Sequence, residues 1–438
     1  MSYAPSESWN LDNILPGGPG GNAFAESLRR LDGQLRQLVA RADALEARPD
    51  PAHFAALLLD LEVVLPDLEE LSAFAGCHAA ADATGDAALR ADMMVSDLGT
   101  LYSRAWVVPN QRICRMTDED FAALLALPAL QDMQGMLQET RSQARFRFSE
   151  QEEALVAELS RDGVLAWGQL YDATAGSLRI EVDKGDGPKA VSPGQAFNLL
   201  HHEDREIRKR TFAAWQAGWR SVARNCAAAL THITGTRLTL NQRRGLDPLE
   251  EPLAGARIQR RTLDAMIEAA RRARPMMHRY LALKAKVMGL EKLDWHDTYA
   301  PLGKSTGAIP YAAAQDFIVE QFGIFSPKMA EFSVKAFKER WIEVEDRPGK
   351  RGGGFCAGVP VRRESRIFMT WGGTDSSVST LAHELGHAFH GEVLFGQPIS
   401  KRRLPMTLAE TASTFGEALV REAALAAATD PNHRLRLL

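Results

Sequence analysis

Cysteine is scarce, with four in 438 residues at Cys77, Cys114, Cys226 and Cys356, and none in a C-x-x-C pair. That excludes a disulfide framework and a thiolate zinc site, and it fits a reducing compartment. Excess charge is also small: 52 Lys and Arg stand against 56 Asp and Glu, a net charge of -4. Nucleic-acid binding usually rests on a basic excess, so no nucleic-acid partner is expected. Nowhere do about 18 uninterrupted apolar residues occur, which speaks against a spanning helix, and no membrane partner is expected. The opening Met1–Asn13 has neither a cationic nor an apolar leader segment, so the expected location is cytoplasmic. What remains, 45% hydrophobic and 25% charged residues, is the composition of a globular protein able to bury a large core.

Apolar residues recur at helical spacing through the first part of the chain, as in Phe24, Leu28, Leu31, Leu35 and Leu38. Pro and Gly clusters, among them Pro16–Gly21 and Pro49–Pro51, divide this part into helices of ordinary length. At Ser177–Val182 the pattern changes to period two; a Gly- and Asp-rich stretch and Lys189–Val191 follow, which predicts a short hairpin. Ser192, Pro193 and Gln195 then open a new helix with a capping box. These signals divide the chain into an N-terminal helical domain, 1–190, and a second domain, 191–438. Within the latter an extended run, Ser365–Trp371, lies between glycines at 352–354 and at Gly372 and Gly373.

The chemistry lies just beyond that run. Asp375–Ser377 offers N-cap residues, and Val378–His390 reads as a helix containing H-E-x-x-H. One helical turn separates His383 from His387, so both imidazoles share a face and can bind one Zn2+ at about 2.0–2.1 Å. Glu384 is then the neighbouring base for a zinc-activated water. A catalytic zinc needs a third protein ligand, and Glu410 in the following helical run is the candidate. Thr407–Glu410 also matches a capping box, so the glutamate could instead serve its own helix end, although the spacing favours the ligand. Glu392 is rotated about 140° from His387, which makes it a poorer ligand. Val393 stands where a longer H-E-x-x-H motif would carry a third histidine. His390 reads as a surface or packing histidine; Glu417, two turns past Glu410, is either an acceptor for a zinc-bound imidazole or a solvated glutamate. The run Lys401–Arg403 could attract a peptide carboxylate or simply be solvated.

Together these residues resemble the oligoendopeptidase F branch of the thimet oligopeptidase-like zinc metallopeptidases. The resemblance runs through Glu364–Met369, Val378–His390 and Glu410–Glu417, and upstream through Leu178–Val182, Val191–Ala196, Asp204–Arg208 and Leu293–Asp297. It implies a mainly α, multi-helix, clam-like body with a short β-hairpin and a small edge-strand region beside the H-E-x-x-H helix. It further implies one Zn2+ per chain held by His383, His387 and Glu410, Glu384 as general base, and short peptides as substrates, so that 191–438 would be the zinc-peptidase domain. The strand with Phe368 and Met369, together with Gly372 and Gly373, corresponds to the family's substrate-side edge strand.

The family pattern continues beyond its second zinc helix with a segment carrying a histidine and tyrosines that can bond the oxyanion. Here Arg434–Leu438 reads as the opening turn of a further helix, so the expectation is a C-terminally incomplete member. Two functions follow: a zinc endopeptidase, or a non-catalytic remnant that binds zinc and peptides.

Overall fold

The structure, a computed structural model, describes residues 6–185, 187–302 and 307–437. It is mainly helical. Eight helices make the first part: α1 (Asn22–Asp43), α2 (Pro51–Val63), α3 (Leu65–Ala81), α4 (Asp86–Ala105), α5 (Val107–Arg115), α6 (Asp118–Leu125), α7 (Gln134–Ser142) and α8 (Glu150–Ser160). The expected apolar stripe of α1 is buried at Phe24, Leu31, Leu35 and Leu38, and it packs with Leu57, Leu61 and Phe74 of the next two helices. A π turn, Arg161–Leu165, joins α8 to α9 (Ala166–Ser177).

The predicted hairpin forms, with β1 (Ile180–Asp183) antiparallel to β2 (Pro188–Val191). Its first strand starts later than the alternation at Ser177 suggested, because Ser177 is the last residue of α9. Asp186 in its turn lies outside the described residues. α10 (Pro193–Leu199) carries the expected capping box, with Ser192 and Gln195 bonding each other's backbone N–H groups. Two long helices follow, α11 (Arg205–Arg244) and α13 (Arg260–Val287), joined by the short α12 (Glu250–Gly255). α13 leaves Met266, Ile267, Met276, Met277 and Leu283 exposed.

α11 begins at a charged joint. Arg208, 1% exposed, meets Asp297, 0% exposed, at 3.1 Å, and Arg205 meets the other carboxylate oxygen at 2.9 Å. Asp294, His296 and Asp297 cluster as metal ligands might, but both Asp297 oxygens are taken by guanidinium groups. This cluster is therefore an ion-pair anchor tying the 294–297 segment to α11.

The second part is built from α14 (Tyr311–Phe325) and α15 (Pro327–Lys338), strands β3 (Ile342–Glu343), β4 (Phe355–Val359) and β5 (Glu364–Phe368), and α16 (Asp375–Phe395). α17 (Met406–Ala409), α18 (Thr411–Ala427) and α19 (Pro431–Leu437) complete it, and Leu438 lies outside the described residues. Its core joins Ile318, Phe322, Trp341, Ile367, Leu381 and Leu385.

The three-stranded sheet has the order β3-β5-β4, with β3 parallel and β4 antiparallel to β5. The expected edge strand is thus the central one, and β4 holds the edge. Sheet alternation sends Phe355, Ala357 and Val359 of β4 into the core of the N-terminal helices. A fully buried Arg366 on β5 bonds Asn10 O and Asn13 Oδ1, strapping the chain's start across the back of the sheet. The core of the first helices therefore crosses the expected boundary at residue 190.

Candidate metal centre

α16 starts at Asp375, three residues before the expected Val378. Thr374 is its N-cap, and Thr374 and Ser377 form a reciprocal capping box. Leu381, Leu385 and Ala388 fix its buried face, which turns His383 and His387 together toward α18, their rings 4.9 Å apart.

Two glycines let α18 approach. A Cβ on Gly386 would lie 2.5 Å from Ala412 O and 2.7 Å from Ser413 Cα, and one on Gly416 would lie 2.9 Å from Ala382 O. The two helix backbones touch here, which only residues without a side chain permit. Glu410 stands at the junction of α17 and α18, and this close crossing brings its Oε2 to 3.2 Å from both His383 Nε2 and His387 Nε2.

The capping alternative for Glu410 fails. Thr407 Oγ1 donates instead to Ala256 O, and Glu410 bonds no N–H at the start of α17 or α18 through its side chain. The Ser413 hydroxyl donates to Glu410 Oε2 at 2.7 Å, which holds this carboxyl below its ordinary range. Burial lowers the affinity of His387 for a proton. Both effects favour a ligating state, a carboxylate and a neutral imidazole.

The three side chains fit a zinc ion. Their ligand atoms lie within 4.8 Å of one another. Ligands at about 2.0–2.1 Å in a tetrahedral site are about 3.3 Å apart, and the two imidazole–carboxylate separations are 3.2 Å. Glu417 is oriented inward, its Oε2 3.4 Å from His383 Nδ1, the position that the acceptor reading requires.

Glu384 faces the sheet. It is 6% exposed, with Oε1 close to Gly354 and Oε2 buried without a hydrogen-bond partner. Burial pushes its carboxyl up to about 7, against a smaller opposing pull from His383. A cavity of about 480 Å³ opens on His383, Glu384, His387 and Glu410. Its opposite wall is formed by Gly354 and by Cys356 and Gly358 of β4.

The residues expected on the substrate side are distributed differently. Phe368 is buried between Trp9 and Phe355, at ring separations of 5.7 and 5.1 Å, and belongs to the core. Met369 and Gly372 line a separate cavity of about 370 Å³ beside α10. Gly373 has φ +65°, a left-handed backbone that turns the chain into α16, and its carbonyl accepts from Ile309 N–H. β5 already has a strand on each side, whereas β4 has one on a single side among the described residues. The sequence signal for β4 was limited to the glycines Gly352–Gly354 ahead of the short apolar run Phe355–Val359. His390, expected on the surface or in packing, is half-buried and lines the 480 Å³ cavity.

The chain is similar to known proteins of one family. The model of Peptidase family M3 matches residues 198–437, more than half of the chain, and that of Oligopeptidase F matches 112–180. Oligopeptidase PepF of Bacillus subtilis is 25% identical over 99% of this chain. The chain spans 64% of that relative's length. Chromosomal oligoendopeptidase F of Lactococcus lactis is 29% identical over 57% of this chain and 41% of its own. The crystal structure of oligoendopeptidase-F from Enterococcus faecium superposes with a TM-score of 0.63 at 17% identity, covering 93% of this chain and 68% of that one. No helix among the described residues is long and apolar enough to cross a membrane. With its fold, its crossed helices and these matches, the chain belongs to peptidase family M3, in the oligoendopeptidase F branch.

Proposed function

We propose that the chain is a zinc-dependent endopeptidase for short peptides. The observation that carries this reading is the joining of His383, His387 and Glu410 within 4.8 Å, with a buried, unpartnered Glu384 oxygen beside them. His383, His387 and Glu410 would hold the ion, and zinc so held supplies Lewis acidity that brings water ionisation near neutral pH and polarises a carbonyl.

The protein's own groups do the rest. Glu384 accepts the proton of the attacking water and delivers it to the leaving amine nitrogen. Its apolar, buried position favours a proton carrier over a permanently charged carboxylate, and a bound cation nearby would bring its affinity for protons back down. Glu417 fixes the His383 ring through Nδ1–H, leaving Nε2 for the metal. The outer edge of β4, which pairs with no strand among the described residues, offers backbone groups along which an extended peptide can lie as an added strand.

A second reading, zinc and peptide binding without turnover, rests on the sparse donors at the centre. Beyond the triad and Glu384, the cavity's polar side chains among the described residues are Cys356, Ser365 and His390, with no tyrosine or arginine for an oxyanion. One donor is commonly worth about 100- to 1000-fold in rate. Hydrolysis of internally quenched short peptides by the chain, by Glu384→Gln and by a chelated sample tests both readings. Under the first, activity falls at least about 100-fold in the variant while zinc remains bound. Equal hydrolysis by parent and variant refutes Glu384 as base, and a folded, zinc-loaded parent without activity supports the second reading.

A further inference from the structure

We infer that the large cavity between the N-terminal helices and the 400–403 segment is an arm of the substrate cleft that reads a carboxylate. The inference rests on the peptidase reading above. The cavity measures about 1300 Å³ and is walled by α4, α5, α7 and α8 on one side and by Ser400, Lys401 and Arg403 on the other. The same short segment divides it from the triad cavity, since Arg403 lines the first and its neighbour Leu404 lines the second. An extended peptide advances about 3.3–3.6 Å per residue, so a short substrate held at the triad can extend into this space.

The wall carries unbalanced positive charge. Its three carboxylates each have a cation already: Asp132 has Lys401 at 2.6 Å, Glu139 has Arg257 at 2.7 Å, and Glu153 has Arg244 at 3.2 Å. Two guanidinium groups on the same wall, Arg403 and Arg147, have no carboxylate at ion-pair distance among the described residues. Glu69 acts on Arg403 only from beyond that distance. Arg403 donates to the Tyr102 hydroxyl at 3.4 Å, and Tyr102 is itself 8% exposed, which gives the guanidinium a fixed support on the first domain. Arg147 meets the Cys114 thiol, and its Nε is buried without a hydrogen-bond partner.

A buried guanidinium N–H without an acceptor, as at Arg147 Nε, is costly, and an incoming carboxylate offers Arg147 and the exposed Arg403 forked, charge-assisted bonds. Lys401 of the same basic run is already paired, and Arg402 donates to the carbonyls of Phe395 and Gln397, so Arg403 is the residue of that run free to act. The carboxylate can come from a peptide's free C-terminus or from an Asp or Glu side chain. Either source makes substrates with negative charge away from the scissile bond the favoured ones.

The test uses the zinc-loaded Glu384→Gln chain, which holds peptide without cutting it, and fluorescence anisotropy of one short neutral peptide in three forms. These carry a free C-terminal carboxylate, a C-terminal carboxamide, or the carboxamide with one internal Glu. At least one charged form is expected to bind about tenfold or more tightly than the plain carboxamide, and which one does so identifies the source. That preference is expected to collapse in Arg403→Gln and in Arg147→Gln. It should survive in Arg48→Gln, which removes the same charge from the far surface pair with Asp120. Arg403→Gln changes an exposed side chain, and circular dichroism verifies its fold. Equal affinity of the three peptides, no binding of any, or a preference that outlasts both substitutions overturns the inference. Failure of the peptidase reading itself shows separately, as absence of zinc binding and of hydrolysis in the unsubstituted chain.

Discussion

Gly386→Ala probes the feature on which the proposed metal centre depends, the contact of the α16 and α18 backbones. The new Cβ would lie 2.5 Å from Ala412 O, 2.7 Å from Ser413 Cα and 3.0 Å from Ala412 C, all main-chain atoms that cannot rotate away. Ordinary contacts need about 3.5 Å, so α18 must retreat by roughly 1 Å. Glu410, one residue before α18, moves with it, whereas a zinc site tolerates about 0.2 Å in its ligand distances. Overpacking costs about 1–3 kcal/mol, offset in part by about 0.5–1 kcal/mol from removing a glycine inside a helix. Zinc affinity is expected to fall about 10- to 100-fold or further, measured by competition with a chromogenic chelator on metal-free protein of verified helical content. Gly391→Ala on the same helix is the control. Its Cβ would meet nothing closer than Ser365 Oγ at 3.6 Å, so unchanged zinc affinity and a slightly raised melting temperature are expected. A folded Gly386→Ala chain with the parent's zinc affinity would refute the claim that this close crossing sets the ligand geometry.

Glu417→Gln replaces the carboxylate 3.4 Å from His383 Nδ1 and should weaken zinc binding about tenfold in the same competition assay; an unchanged affinity would assign Glu417 to solvent. Asp297→Asn leaves the buried Arg208 without its counter-charge and should cost about 3–5 kcal/mol in urea unfolding. Burial pushes the Asp297 carboxyl up, but Arg205, the Asp294 N–H and Arg208 outweigh it and hold it at about 2, below its ordinary 3.8. Its stabilisation is therefore present above about pH 4 and lost as pH falls toward 2, so the gap between parent and variant should narrow over that range; a constant gap contradicts the assignment. Phe368→Ala empties a fully buried site between two aromatic rings and should cost about 3–5 kcal/mol of stability. A stable Phe368→Ala chain with only its peptide affinity changed would return that residue to the substrate side.

Local signals in the sequence determined much of this protein. The helical stripe of α1, the Ser192–Gln195 capping box and the one-turn spacing of His383 and His387 each act within a few residues, where backbone geometry alone sets the outcome. Glu410 was legible as a ligand only with a capping alternative beside it. What brings Glu410 beside the two histidines is the crossing at Gly386 and Gly416, where contact between distant backbones gives the glycines their meaning. The tertiary structure also decided strand order. A buried central strand and an edge strand can share the same extended pattern, and the neighbours that turned Ser365–Trp371 into the sheet's centre are β3 and β4, joined through hydrogen bonds no local pattern encodes. The orientation of Glu417 toward His383, the place of His390 in the cavity, and the meeting of Arg403 with Tyr102 likewise joined residues from separate elements. Periodicity and capping are properties of the chain; which faces meet depends on how the helices pack, and that is fixed only when the cores close.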